Sequence, residues 1–243
     1  MHVPEEDSVT NDEANIEATA WTYAKANKAH IARRLTDTAE YPKEENPVSV
    51  FMAGSPGAGK TETSIELLKK FEQESILRID PDHLRLEFAG YAGVNSHLFQ
   101  RAVTVLVERI HDLALKNSQS FLLDGTLSNY NVAAKNVERS LSRKRTVQIL
   151  YIYQEPKFAW QFVKDREAQE GRRIRPDDFV SQYFAARNVV QSLKVKFGKD
   201  IKIDLILKNV DGSDRKTFFN VDQIESHVPE KYSLEDVKRL VST

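Results

Sequence analysis

The stretch Val48-Ser49-Val50-Phe51-Met52-Ala53-Gly54-Ser55-Pro56-Gly57-Ala58-Gly59-Lys60-Thr61 decides the fold. Its first half is a short apolar run of the kind that forms a strand buried on both faces. Its second half matches G-x-x-x-x-G-K-[ST] at every fixed position. Backbone N–H groups must come close to phosphate oxygens in such a loop, and a Cβ would stand in the way. Glycine also supplies the positive φ angles that turn successive N–H groups inward. A helix opening near Lys60 points its positive end at the same oxygens. Lys60 then reaches the β and γ oxygens, and the Thr61 hydroxyl ligates Mg²⁺. The segment therefore implies binding of a nucleoside triphosphate.

Outward from this core the chain alternates. Strands are expected at 75–79, 120–123, 146–153 and 201–207. Helices are expected to about 71, then over 95–116, 129–141, 156–170 and 176–196, with a last one opening at Ser233 as N-cap. Strand and helix in alternation mean βαβ crossovers and a mostly parallel sheet covered on both faces. Upstream, residues 1 to about 11 read as a mobile acidic tail, and 12–37 as a helix with Ile16, Ala20, Tyr23, Ala24, Ile31 and Leu35 on one face. A proline-bracketed connector, Tyr41 to Pro47, separates them from the core. The expected organisation is an N-terminal helical segment, 1–46, before an α/β P-loop domain, 47–243.

Composition narrows the class. The 243 residues carry 35 Lys plus Arg against 36 Asp plus Glu, a net charge of −1 that argues against nucleic-acid binding by bulk electrostatics. The absence of cysteine excludes disulfides, thiol catalysis and thiolate-bound zinc. No segment approaches the ~18 apolar residues a spanning helix needs, and no secretory signal opens the chain, so a cytoplasmic protein with no membrane partner is expected. The six histidines show no metal-ligand spacing.

Three further features separate the kinds of P-loop protein. A GTPase needs N-K-x-D, but the Asn27-Lys28 pair lies upstream and continues Ala29-His30. The strand at 121–123 ends in Asp124-Gly125-Thr126, not the Asp-Glu of motor ATPases. Ile79-Asp80-Pro81-Asp82-His83 places two carboxylates at the mouth of the sheet, where either can orient or deprotonate an attacking hydroxyl. Asp80 before Pro81 also suits an N-cap, so Asp82 is the stronger candidate base. His83, beside it, is a candidate substrate contact. Arg166, Arg172, Arg173 and Arg175 cluster around a loop between two helical patterns, where arginines can close over a triphosphate and neutralise the phosphoryl group in transit. A small-molecule kinase gives all three features a role.

GSPGAGKT at 54–61, IDPDHLR at 79–85, LLDGT at 122–126, and KDRE with an arginine–proline loop at 164–176 together resemble the zeta toxin family of P-loop kinases, over about residues 48–210. The resemblance implies a kinase that uses ATP and Mg²⁺ to phosphorylate the 3′-hydroxyl of the amino sugar in UDP-N-acetylglucosamine. It implies nucleotide contacts from Gly54, Ser55, Pro56, Gly57, Ala58, Gly59, Lys60, Thr61 and Glu62, with Thr61 on the metal. It places Asp82 as base, Arg166 as the first γ-phosphate arginine and, counting back from Pro176, Arg173 as the second, with Arg175 as fallback. Asp124 and Thr126 match a substrate-binding Glu-Gly-Thr, one methylene shorter. Glu108, sixteen residues before Asp124, falls on a substrate-binding glutamate. The family often shows His-Pro soon after its base, whereas this chain reads Arg85-Leu86-Glu87-Phe88. A small helical antitoxin is the implied partner, and cis inhibition by the N-terminal helix is the intramolecular counterpart. The alternatives are a kinase for another nucleotide sugar or a dinucleotide, and a nucleotide-gated binding protein without catalysis.

Overall fold

A computed structural model describes residues 6–70, 75–208, 215–228 and 231–242. The core is a six-stranded sheet: β1 (Val48–Ala53), β2 (Leu77–Ile79), β3 (Phe121–Leu123), β4 (Thr146–Tyr153), β5 (Ile201–Lys208) and β6 (Arg215–Phe218). Their spatial order is β2-β3-β1-β4-β5-β6. The first five run parallel, with Phe51 opposite both Leu123 and Ile149 and Leu150 opposite Asp204. β6 pairs antiparallel with β5, Leu205 against Phe218.

Around the sheet lie α1 (Glu6–Leu35), α2 (Lys60–Lys70), α3 (Gln100–Lys116), α4 (Tyr130–Leu141), α5 (Pro156–Glu170), α6 (Pro176–Phe197) and α7 (Leu234–Val241). Pro156 and Pro176 occupy first-turn positions where a missing N–H costs nothing. Asn129 accepts from the Val132 N–H to cap α4, and Ser233 with Asp236 forms a reciprocal capping box on α7.

Because β1 has β3 on one side and β4 on the other, the crossovers leave it in opposite directions. A crevice opens at the strands' carboxyl ends, where open α/β sheets bind ligands. The opposite end is pinned by Arg145, which is buried. Its guanidinium donates to Ser49 Oγ at 2.7 Å, Val48 O at 3.0 Å and Gln119 O at 2.5 Å, and lies over the Phe121 ring. Deep in the core, His111 packs edge-on against Phe51 and Phe121, and burial lowers its pKa to about 3, so it is neutral packing.

Three differences from the sequence expectation exceed two residues. α1 begins at Glu6, not residue 12, so 6–11 are helical; residues 1–5 lie outside the described residues. The helix expected over 95–116 is split: Ser96–Phe99 is a 3₁₀ turn and α3 starts at Gln100. β6 had no counterpart in the sequence reading. α1 itself packs along α3, with Ala20, Ala24, Ile31 and Ala32 inside the main core. Trp21 is flanked by Lys25 and Arg101, at 4.3 and 4.4 Å from its centroid.

Candidate active site

The turn from β1 to α2 is built by glycines that no other residue can replace. Gly57 has φ +71°, and a Cβ there would stand 2.0 Å from the Ala159 carbonyl oxygen of α5. Gly54, at φ +144°, would put one 2.4 Å from Ile152 O. The loop is thus wedged against β4 and α5. Lys60 lies over it, donating to Gly54 O at 3.0 Å and Ser55 O at 2.7 Å. Burial lowers the Lys60 pKa from 10.5 to about 8; the Asp124 and Asp82 carboxylates oppose that shift, and Arg172 and Arg166 add to it. Four charged groups from other segments therefore act on Lys60 together.

The two carboxylates arrive from strand ends, and the two arginines from α5 and the loop after it. Asp124 follows β3 and is buried, its Oδ2 accepting from Ser64 Oγ at 3.0 Å and Arg78 Nη2 at 2.5 Å. Arg78 on β2 also meets Asp80 at 2.9 Å, and Asp80 Oδ1 accepts the Asp82 N–H at 2.8 Å. Asp80 therefore shapes the turn that aims Asp82. The Asp82 carboxylate is held on both sides, Oδ1 by Arg85 and Oδ2 by Arg172. Arg85 is itself buried and fixed by Gln100 Oε1 at 2.8 Å, with longer contacts to Pro81 O and Ser96 O.

Asp82, Arg85, Gln100, Asp124 and Arg172 line a cavity of about 1250 Å³. Sites for one drug-sized ligand span ~300–1,000 Å³, so this one has room for a nucleotide and a second molecule. Pro56 to Glu62, Asp82, Thr126, Arg166, Arg172 and Arg173 are among the residues that line it. Thr126 Oγ1 is 3.0 Å from Ser128 Oγ. Among the described residues, no cluster of three or more His, Cys, Asp or Glu could hold a metal. A Thr61 hydroxyl and the Asp124 carboxylate nevertheless suit Mg²⁺, which takes few protein ligands and shares phosphate oxygens.

Not every sequence candidate is brought in. Glu108 is exposed on α3, away from the cavity lining, and its charge bears on Arg139 of α4. Ungapped spacing does not bring Glu108 to the cavity; among the described residues of α3, Gln100 lines it. His83 is exposed and outside the lining, and His97 stands there instead, 3.8 Å from Glu13 of α1. Arg173 reaches the rim, but its side chain is 62% exposed and faces Glu167 at 3.8 Å, while its neighbour Arg172 reaches Asp82. Arg175 pairs with Asp178. Two contributors carry no motif. Gln154, buried after β4, lines the cavity, and Lys208 at the end of β5 donates to Gly59 O at 2.9 Å. Their position at strand ends was the available signal. No described residue of α1 lines the cavity.

A parallel sheet of order 2-3-1-4-5, a glycine cradle after its central strand and an arginine-bearing helix over the cradle define a P-loop kinase fold. The Zeta toxin family model matches residues 31–221, and the chain belongs to that family. A structure from the PezAT chromosomal toxin–antitoxin system of Streptococcus pneumoniae superposes with a TM-score of 0.63 at 19% identity, over 91% of this chain and 93% of that one. The AvrRxo1-ORF1:-ORF2 complex with ATP gives 0.58 at 16% identity, over 88% and 70%. A chain of the Pnkp1/Rnl/Hen1 RNA repair complex gives 0.50 at 17%, over 79% and 54%. At these identities the likeness is one of fold. No curated protein matches the sequence. No helix of the described residues is long and apolar enough to cross a membrane.

Proposed function

We propose that the protein transfers the γ-phosphoryl group of ATP to a sugar hydroxyl, the 3′-hydroxyl of the amino sugar in UDP-N-acetylglucosamine being the preferred acceptor. One observation carries the reading. Asp82, the carboxylate suited to take a hydroxyl proton, faces the same cavity as the phosphate cradle and acts electrostatically on its lysine. Family membership and the ATP named with the AvrRxo1 structure support the choice of phosphoryl donor.

In the step itself, the bond from the γ-phosphorus to the bridging oxygen of ADP breaks as the bond to the acceptor oxygen forms. The hydroxyl proton passes to Asp82. Lys60 and Arg166 neutralise charge on the moving group, with Arg172 and Arg173 supplied by the loop above it. Thr61 and Asp124 would hold Mg²⁺, which when bound would help neutralise phosphate charge. Closure of the 171–175 loop would exclude water, so that a hydroxyl and not water receives the group. A toxic role with a small helical antitoxin partner fits the family and the toxin–antitoxin system of the pneumococcal neighbour.

Incubation with ATP, Mg²⁺ and a panel of nucleotide sugars, read by mass, tests the proposal. The expected product is UDP-N-acetylglucosamine heavier by one phosphoryl group. Transfer to a different panel member reassigns the acceptor, and no transfer to any of them refutes a nucleotide-sugar kinase. Asp82→Asn should keep ATP affinity within an order of magnitude and lose transfer by ~10²–10⁴-fold.

A further inference from the structure

We infer that Arg172 is a single guanidinium with two successive anionic partners, Asp82 and the γ-phosphate, so that the arrival of ATP is what frees the base. The inference rests on the kinase reading above. Both oxygens of Asp82 are engaged, Oδ1 by Arg85 and Oδ2 by Arg172. With each oxygen held by a guanidinium, the carboxylate offers an acceptor hydroxyl no oxygen free of a charged donor. Departure of one guanidinium opens that oxygen to the hydroxyl.

The surroundings decide which one. Arg85 is buried and also anchored by Gln100, Pro81 O and Ser96 O, so its withdrawal would strand several groups. It is a positioning residue that fixes the carboxylate plane. Arg172 sits on the 171–175 loop between α5 and α6, one ion pair deep, with Asp82 itself about one-third exposed. The loop is seated so that this residue points inward. Ser96 Oγ donates to Arg173 O at 3.3 Å, and Gly93 comes so near the loop's hinge that a Cβ there would lie 3.0 Å from Glu170 O. Arg172 also acts on Lys60, so the cradle that receives the β and γ oxygens is within its electrostatic reach. A triphosphate in the cradle offers that guanidinium a denser anion than one carboxylate. Exchange of Arg172 from Asp82 to phosphate couples loading of the donor to activation of the base.

Binding of nucleotides alone tests this, without an acceptor. The probes are ADP and the non-hydrolysable β,γ-imido analogue of ATP, each with Mg²⁺, titrated calorimetrically. Asp82→Asn removes the competitor for Arg172 and should tighten the imido analogue about fivefold, the size of one partly exposed ion pair, with ADP unchanged. Arg172→Ala should weaken the analogue, and Asp82→Asn added to it should then have no effect. An unchanged or weaker affinity in Asp82→Asn overturns the exchange. So does a tightening that appears equally with ADP or persists beside Arg172→Ala, because that is a through-space charge effect. Wild-type protein that binds ADP and the analogue equally refutes instead the γ-phosphate reading of the whole site. Arg172→Gln, which keeps length and hydrogen-bonding capacity, should reproduce the alanine result; if it behaves as wild type, charge exchange is overturned.

Discussion

Lys60 offers the sharpest test of the cradle, because its proton is held loosely. Only the ammonium form attracts phosphate oxygens. In the protein its pKa is lowered from 10.5 to about 8, chiefly by burial, with Asp124 and Asp82 opposing the change. Below that pH the lysine meets the nucleotide already charged. Above it, binding must take up a proton, and affinity should fall about tenfold per pH unit. From pH 7.5 to 9.5 the loss comes to about twenty-five-fold, where a lysine at its ordinary value would lose almost nothing. The same shift acts on the fold with the opposite sign. The unfolded chain keeps this proton up to about 10.5 and the folded one releases it near 8, so between those values this group favours folding more as pH rises. The loss of affinity therefore does not come from Lys60 unfolding the domain. The assay is calorimetric titration with ADP at constant ionic strength from pH 6.5 to 9.5, on wild type and Lys60→Met. An affinity flat through pH 9.5, or an equal slope in Lys60→Met, would rule out Lys60 as the titrating group.

Other perturbations read other parts of the structure. Gly57→Val meets Ala159 O and a positive φ, so nucleotide affinity should drop by at least ~tenfold, with a melting temperature lower by several degrees. Arg145→Met leaves Val48 O and Gln119 O without their donor at the far end of the sheet. Urea unfolding should show a loss of ~2–4 kcal/mol while ADP affinity stays at the wild-type value. Ser233→Ala removes the capping box of α7 and should cost ~1 kcal/mol in the same assay, again with nucleotide binding intact.

Much of this molecule can be read from local sequence, because its decisive parts are local. The cradle is one contiguous loop, and β4 and α5 are bounded by apolar runs and by Pro156, so their observed limits, Thr146–Tyr153 and Pro156–Glu170, equal the expected ones. Family membership followed from four motifs in order. What escaped is set by packing across the chain. Arg85 looks like any helical arginine until the 3₁₀ turn at 83–87 turns it onto Asp82, Gln100 and Ser96. The split at Phe99 changes which α3 side chains face the cavity, so a count of residues could not place Glu108. Choosing among Arg172, Arg173 and Arg175 needs the path of the loop, which Gly93 and Ser96 fix from a distant part of the sequence. β6 depends on pairing with β5 and has only four residues of mixed polarity to announce it.

The central claim is that Asp82 and the glycine cradle serve one transfer. Its most direct measurement is a single-turnover experiment with ATP labelled at the γ-phosphorus, Mg²⁺ and UDP-N-acetylglucosamine, on wild type and Asp82→Asn. The expected result is label on the sugar nucleotide with the wild type, and label left on ATP with the variant despite intact nucleotide binding. Label appearing only as inorganic phosphate, or passing to the sugar equally fast in both proteins, would contradict it.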